Sequence, residues 1–227
     1  MTKPFRFKDI LKCPDCGAAL AGTDCAACGF ACDDGGQMRG HVEDMGLIYV
    51  GTDISTTNVQ EDLRRHGGPD FISDAHLLPV RDASVDVVYC SAMSQYLAAP
   101  HRAFQEFFRI LKPGGYFLSN CAYLEPWTDE SFFHTTPNGA AALLLSAGFD
   151  IEAIWPSTGY SGYQSLLESG SRSARKMRFL GKPLTAIAAL TYSAKRRIRG
   201  AAVYDDHAWA TDLARTAGGI DWIARKA

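Results

Sequence analysis

The chain has 227 residues, of which 47% are hydrophobic and 21% are charged. This balance excludes a disordered chain and suits one medium-sized domain with a small addition. A formal net charge of −2 excludes a general attraction to nucleic acid or anionic lipid, so any such binding must come from a local patch. No apolar stretch approaches the roughly 20 residues of a membrane-spanning helix, and the start lacks the apolar core of a signal peptide. We therefore expect a cytoplasmic protein.

The first thirty residues carry two C-x-x-C pairs, Cys13/Cys16 and Cys25/Cys28, with eight residues between the pairs. Each pair can aim two sulfurs at one ion, and two pairs complete a closed tetrahedral site. The spacing predicts a structural zinc ribbon over residues 1–32, followed by a linker over residues 33–45. Reduced thiols without a metal and an iron site of rubredoxin type are the alternatives. Cys32 is surplus to this ligand set.

From Gly46 onward the sequence alternates between short apolar runs and helical patterns. Apolar runs end at Asp53 and Asp74, and two further runs read SVDVVYCSA and YFLSNCAY. Between the last two lies PHRAFQEFFRILKPGG, whose apolar residues recur at helical spacing before a basic, proline and glycine stop. This alternation predicts an α/β domain over residues 46–227 with a parallel sheet, and it predicts that the aromatic residues of the helix are core.

The stretch FISDAHLLPVRDASVDVVYCSAMSQYLAAPHRAFQEFFRILKPGGYF resembles the central part of the class I S-adenosylmethionine-dependent methyltransferases of the ubiquinone-biosynthesis type. The later segment FFHTTPNGAAALLLSAGFDIEAIWP resembles a further helix and strand of that family, and TAGGIDWIARKA resembles its closing strand. The resemblance covers residues 46–160 firmly and the remainder loosely. It implies a Rossmann-like methyltransferase sheet.

The resemblance also implies a cofactor site. Asp53 would bind the ribose hydroxyls of S-adenosylmethionine, since a carboxylate accepts two hydrogen bonds in fork geometry. Asp74 and the backbone of Ala75 would contact the adenine, and Cys90 and Ser91 would line the methionine end. All of them would lie at carboxyl ends of strands, where open α/β sheets bind ligands. Taken by itself, Asp53 could equally cap a helix.

One part of the family pattern is missing upstream. The glycine-rich loop that cradles the cofactor should precede Asp53 by some twenty residues, and the best candidate is DDGGQMRG at Asp33–Gly40. Only six residues separate Gly40 from the next apolar run, whereas a crossover with its helix needs about ten to twelve. The sequence therefore predicts that the zinc ribbon replaces the first strand and first helix of the sheet.

Candidates for acid–base chemistry are His134 first, then Tyr123 and Tyr96. A loop histidine is commonly structural, and methyl transfer can proceed by proximity alone. Residues 171–200 form a basic helical insertion with no acidic residue. It could be a solvated helical hairpin, a peripheral membrane contact, a binding site for a phosphorylated substrate, or a nucleic-acid-binding surface.

Three functions follow from these observations. The first is methyl transfer to a small molecule or to a lipid- or sugar-linked acceptor, with structural zinc and S-adenosylmethionine as cofactors. The second is a catalytically degenerate relative that binds or scaffolds a partner protein. The third, a nucleic-acid methyltransferase, is disfavoured by the net charge and by the lack of interleaved aromatic and basic residues.

Overall fold

The computed structural model describes residues 47–54, 69–127, 130–157, 161–199 and 214–227. The chain divides into two compact units, Met1–Pro79 and Val80–Ala227. Cys13, Cys16, Cys25 and Cys28 lie outside the described residues, as does the Asp33–Gly40 segment. The zinc ribbon, the missing first strand and the domain boundaries therefore stay predictions. Within the described ranges, no group of three or more His, Cys, Asp or Glu side chains is placed to hold a metal ion.

The described part of the first unit contains a short parallel pair of strands. Strand β1 is Thr52–Asp53 and β2 is Phe71–Ile72. The Gly51 N–H donates to the Asp70 carboxylate at 2.7 Å, and the Ser73 N–H donates to the Asp53 carbonyl at 2.9 Å. These strands are shorter than the apolar runs that predicted them. Because they are parallel, their carboxyl ends meet at one edge.

The second unit is built on a four-stranded sheet in the order β3-β4-β6-β5. Its strands are Val85–Cys90, Leu111–Ala122, Phe149–Pro156 and Gly219–Lys226, numbered β3 to β6 in chain order. Strands β3 and β4 run parallel, but β6 is antiparallel to both of its neighbours. The prediction of a parallel sheet is therefore wrong for this strand, and the sheet is mixed. Apolar alternation indicates which residues face the core, but it carries no information about strand direction.

Helices α1 (Pro100–Ile110) and α2 (Pro137–Ala147) pack together and against the sheet. Phe104 meets Phe117 edge to face with ring centroids 5.2 Å apart, and Trp222 lies 5.9 Å from Phe104. The predicted apolar stripe of α1 is confirmed as core, since its inward side is buried at Ala103, Phe104, Phe107 and Ile110, as is Leu111 at the start of β4. Burial of aromatic rings in this geometry stabilises the packing of helix on sheet.

The E-x-x-R motif of α1 performs a structural task. The Arg109 guanidinium donates to both oxygens of Glu106 at 2.9 and 2.8 Å, and to the Val80 carbonyl and the Asp82 carboxylate at 2.7 and 2.6 Å. The hydrogen bonds that Arg109 donates to Glu106, and then the one to Asp82, raise the pKa of Arg109 above its usual range. A planar fork is suited to such a set of acceptors. This network fixes the helix to the loop before β3.

The K-P-G-G motif follows α1 and lies within the first residues of β4. The helix ends at Ile110, and Gly114 has φ +82°, a conformation that favours glycine. A Cβ at Gly115 would lie 2.9 Å from the carbonyl oxygens of both Asp86 and Lys112, so only glycine fits there without a backbone shift. From β6, Lys226 Nζ donates to the carbonyl groups at the end of this helix.

Between β5 and β6 the described residues up to 199 are mostly helical. Helix α3 is Gly162–Ser169, α4 is Arg172–Arg175, and α5 is Gly181–Arg199, with a 3₁₀ turn at Arg178–Leu180 before it. Helix α5 packs against α3. The described part of the chain contains no helix long and apolar enough to cross a membrane.

Candidate active site

The first unit brings together the residues predicted to bind the nucleoside. Asp53 ends β1, and its carbonyl accepts a hydrogen bond from Ser73, the residue before Asp74. Asp53 Oδ1 accepts the N–H of Ile54 at 2.7 Å. Asp74 Oδ1 accepts the backbone N–H of His76 at 2.9 Å and contacts its ring nitrogen Nδ1 at 2.5 Å. The backbone hydrogen bond from His76, followed by its side-chain hydrogen bond, lowers the pKa of Asp74. Two carboxylates thus stand at one strand edge.

These carboxylates have the chemistry that a ribose and an adenine require. A ribose diol offers two hydroxyl donors and adenine offers an exocyclic amine, and an ionised carboxylate is an acceptor for either. Asp74 is 53% exposed at its side chain, so its second oxygen can reach a ligand. The carboxylate acceptors of Asp53 and Asp74 therefore match the hydrogen-bond donors of the nucleoside half of S-adenosylmethionine, and Ala75 directly follows Asp74.

The second unit places Cys90 and Ser91 at the carboxyl end of β3, in different surroundings. The Cys90 thiol is buried and contacts the sulfur of Met93 at 3.6 Å. Burial raises its pKa to about 12, so it stays a neutral thiol. Ser91 is partly exposed at the edge, and its hydroxyl accepts a hydrogen bond from Asn120 Nδ2 at 3.4 Å. Of these two residues, Ser91 is partly exposed and Cys90 is buried.

The turn after β3 is held by Asn120 on the neighbouring strand. Ala92 has φ +48°, a left-handed conformation that costs about 1–2 kcal/mol for a residue with a Cβ. Asn120 Oδ1 accepts the N–H of Ala92 at 2.5 Å and so stabilises this turn. Gln95, in the following turn, is buried; its carbonyl accepts the N–H groups of Phe132 and Phe133. The loops at this edge are therefore tied to one another by backbone hydrogen bonds.

Both predicted catalytic residues lie at the carboxyl end of β4. Tyr123 directly follows the strand, and its N–H donates to the Gly218 carbonyl at 2.7 Å. His134 directly precedes Thr135, whose N–H donates to the Ala122 carbonyl at 3.1 Å. Their two backbone segments are thus adjacent, and both side chains are partly exposed. Tyr96 lies in the turn after β3 and is 40% exposed.

Two carboxyl groups occupy the same edge of the sheet. Asp221 on β6 pairs with Asn120 on one side and Trp155 on the other, and it accepts the Ser157 hydroxyl at 2.8 Å. Burial raises the pKa of Asp221 to about 6, although hydrogen bonds from Ser157 and Trp155 oppose the shift. Burial also raises the pKa of Glu125.

Gly219, at the start of β6, lies beside both Ser157 and the carboxyl group of Glu125. A Cβ at Gly219 would lie 3.0 Å from Ser157 Oγ and 3.6 Å from Glu125 Oε1, so both groups stand over this backbone position. The edge formed by the ends of β4 and β5 and the start of β6 therefore holds two carboxyl groups, a tyrosine and a histidine. A carboxyl with a pKa near neutrality can take or give a proton at physiological pH.

Sequence reasoning missed Asp221, Glu125 and Asn120. Asp221 interrupts the apolar run GIDWIA, and Asn120 interrupts YFLSNCAY. A lone polar residue in a buried strand pattern is the signal that could have identified these two, because such a residue needs a partner or a function. Glu125 follows a strand in an ordinary loop sequence, and nothing in its neighbourhood marks it.

Comparison with known proteins relates part of the chain to methyltransferases. Residues 30–119 match the methyltransferase domain family. Over 121 residues the chain is 34% identical to a probable S-adenosylmethionine-dependent methyltransferase of Mycolicibacterium smegmatis (strain ATCC 700084 / mc(2)155), which covers 49% of this chain and 47% of that protein. Over 44 residues it is 43% identical to the malonyl-[acyl-carrier protein] O-methyltransferase of Marinomonas sp. (strain MWYL1), covering 19% of this chain and 16% of the relative. The chain thus spans less than half the length of either relative.

Among solved structures, one that the chain resembles is the Haloferax volcanii complex between the Trm112 methyltransferase activator and a methyltransferase. It has a TM-score of 0.47 at 19% identity, covering 78% of this chain and 71% of that one.

Residues 30–119 are thus similar to the methyltransferase domain family, and the sheet of the second unit is mixed, with helices packed against it. The family match begins at residue 30 and so includes the Asp33–Gly40 segment. The prediction that the glycine-rich part of the family is missing is accordingly not confirmed, and neither is the more specific ubiquinone-biosynthesis type.

Proposed function

We propose that this protein binds S-adenosylmethionine and methylates a small molecule or a lipid- or sugar-linked acceptor. The observation that carries the proposal is the pair of carboxylates at the β1 and β2 ends, inside the part of the chain that matches the methyltransferase family. Asp53 would accept the ribose hydroxyls, and Asp74 with the Ala75 backbone would hold the adenine. S-adenosylmethionine supplies a methyl group on a positively charged sulfur, which an acceptor can attack directly.

On the acceptor side, Asp221 is the best-placed proton acceptor. It is held by Ser157 and Trp155, and a pKa of about 6 leaves it mostly ionised at pH 7 and basic enough to take a proton. Tyr123 and His134 border the same edge and would orient the acceptor or share the proton. This assignment replaces His134 as the first candidate for the base and keeps both residues in the acceptor site.

The zinc ribbon remains part of the proposal. Four thiolates in two C-x-x-C pairs would fill a tetrahedral coordination sphere and leave no open position for a reacting water. Cys13, Cys16, Cys25 and Cys28 would therefore stabilise the amino-terminal segment and take no part in methyl transfer.

Isothermal calorimetry with S-adenosylmethionine tests the cofactor site. We expect micromolar binding to the full chain, and we expect Asp53→Asn and Asp74→Asn each to weaken it about tenfold to a hundredfold, because each removes a charge-assisted hydrogen bond. Asp150→Asn, at an exposed carboxylate on β5, is the matched control and should bind like the unaltered chain. Absence of binding at millimolar cofactor would contradict the proposal and favour the alternative, a degenerate relative that binds or scaffolds a partner protein.

Transfer of a deuterium-labelled methyl group into a fractionated bacterial extract tests the acceptor class. The label should appear in the small-molecule or lipid fraction, and Asp221→Asn should slow its appearance by about a hundredfold or more if this carboxylate is the base. Glu152→Gln, an exposed carboxyl on β5, should leave the rate unchanged. Label confined to protein or nucleic acid would refute the proposed acceptor, and an unaltered rate in Asp221→Asn would refute the role of that residue.

A further inference from the structure

The charge of this chain is concentrated in one helical segment. Residues 171–199 contain nine of the 23 basic residues and none of the 25 acidic residues, so the remaining residues together carry a net charge of −11. Although the net charge is only −2, the positive and negative charges are therefore strongly separated along the chain. Such an arrangement attracts one surface of the protein to an anionic partner while it repels the rest.

The packing of α5 leaves one side of that helix uncovered. Its contact with α3 runs through Thr185, whose hydroxyl bonds that of Ser161, and through Gly181, where a Cβ would lie 3.2 Å from the Gln164 Cα. Leu184, Ile187 and Leu190 recur every three residues on a flank away from this contact, and they are 39%, 57% and 69% exposed. The helix thus presents an apolar stripe that α3 does not cover.

The segment before α5 continues the same surface. Phe179 is 70% exposed and Met177 is 49% exposed, and the basic side chains around them are also exposed at Arg172, Arg175, Lys176, Arg178 and Lys182. The sequence of the last turns of α5 adds Lys195, Arg196, Arg197 and Arg199. Large apolar side chains interleaved with basic ones characterise helices that lie in a membrane interface. The exposed side chains of residues 172–190 are termed here the basic–apolar surface.

We propose that the basic–apolar surface docks on an anionic phospholipid membrane, with its apolar side chains inserted at headgroup level and its basic side chains on lipid phosphates. Charge complementarity selects this occupant: residues 171–199 include nine basic residues and no acidic residue, and each basic residue adds attraction to an anionic leaflet. A nucleic acid would engage the basic residues but would leave Leu184, Ile187 and Leu190 without an apolar environment. The proposal is independent of the proposed methyl transfer.

Co-sedimentation of the full chain with vesicles tests the proposal. We expect binding to phosphatidylcholine vesicles that contain about one third phosphatidylglycerol, weak or no binding to pure phosphatidylcholine, and loss of binding as salt screens the charges. Phe179→Gln together with Ile187→Gln should weaken binding at least about tenfold, because each removes an inserted apolar side chain. Leu145→Gln, at a leucine on α2 that is 62% exposed, is the matched control and should bind normally.

A second pair of variants tests the charge. Arg175→Gln with Arg178→Gln should weaken binding to anionic vesicles at least about tenfold, whereas Arg102→Gln, an exposed arginine on α1, should not. Circular dichroism establishes that each variant is folded. Equal affinity for neutral and anionic vesicles, or no binding at low salt, would overturn the proposal. Two further outcomes would overturn the proposal. The first is that sedimentation velocity shows a dimer and that Ile187→Gln dissociates this dimer without changing vesicle binding. The second is that the chain binds a homopolymeric RNA and that the Phe179→Gln/Ile187→Gln variant binds this RNA with unchanged affinity.

Discussion

Replacing Asp221 by asparagine should stabilise the protein at neutral pH and have little effect in acid. Burial raises the pKa of this carboxyl from its ordinary 3.8 to about 6. The folded chain therefore holds a proton at pH values where the unfolded chain has released it, and the free energy of unfolding falls as pH rises from about 4 to about 6. Above that window the folded protein carries the full cost of an ionised, partly buried carboxylate. Asparagine keeps an acceptor for the Ser157 hydroxyl but never ionises.

The size of the effect follows from the pKa difference. A difference of about two units corresponds to about 3 kcal/mol, and this is an upper value because the side chain of Asp221 is only partly buried. We expect Asp221→Asn to raise the free energy of unfolding by about 1–3 kcal/mol at pH 8 and to change it little at pH 4. For a chain of this length, each kcal/mol shifts the melting temperature by about 2–4 °C.

Thermal and urea unfolding at the two pH values provide the measurement. Glu152→Gln is the control because it removes an exposed carboxyl from β5, next to the strand that carries Asp221. It should shift neither curve by more than about 0.5 kcal/mol. A stabilisation by Asp221→Asn that was equal at pH 4 and pH 8, or that was larger in acid, would refute the assignment of a raised pKa. If Asp221→Asn also abolishes methyl transfer, then the carboxylate of Asp221 serves activity and lowers the stability of the folded protein, as active-site groups often do.

Three further predictions concern the framework and the metal. Arg109→Lys should destabilise the protein by about 1–3 kcal/mol in urea unfolding, because an ammonium cannot replace the forked hydrogen bonds to Glu106; an unchanged midpoint would contradict the structural role of this network. Gly115→Ala should destabilise the protein by about 1–3 kcal/mol, since the added Cβ would meet two carbonyl oxygens at 2.9 Å. Gly139→Ala, inside α2, is the control: its Cβ would lie 3.2 and 3.3 Å from side-chain atoms, so it should have a smaller effect. Elemental analysis should find one zinc per chain, lost in Cys13→Ser; a chain without zinc or iron would refute the ribbon.

Much of the framework could be predicted from the sequence because its signals are local. The helical spacing of the apolar residues in α1 specifies the face that packs on the sheet, and its proline and glycine stop specifies where the helix ends. The ordered run from Asp74 to Gly115 was enough to indicate the methyltransferase class, and the family match agrees with it. Patterns of this kind involve residues that are close together in the sequence, so they can be recognised without the tertiary structure.

The direction of β6 and the membership of the acceptor edge could not be predicted in this way. Asp221, Asn120 and Ser157 come from three strands or strand ends that are up to 101 residues apart, and only the antiparallel insertion of β6 brings them to one edge. The pKa of Asp221 is likewise a property of its burial and of no sequence pattern. The sequence by itself indicated the resemblance to methyltransferases, the core face of α1 and the basic character of residues 171–199. Tertiary structure alone decided which polar side chains share a site, because burial and proximity arise only when strands distant in the chain are paired.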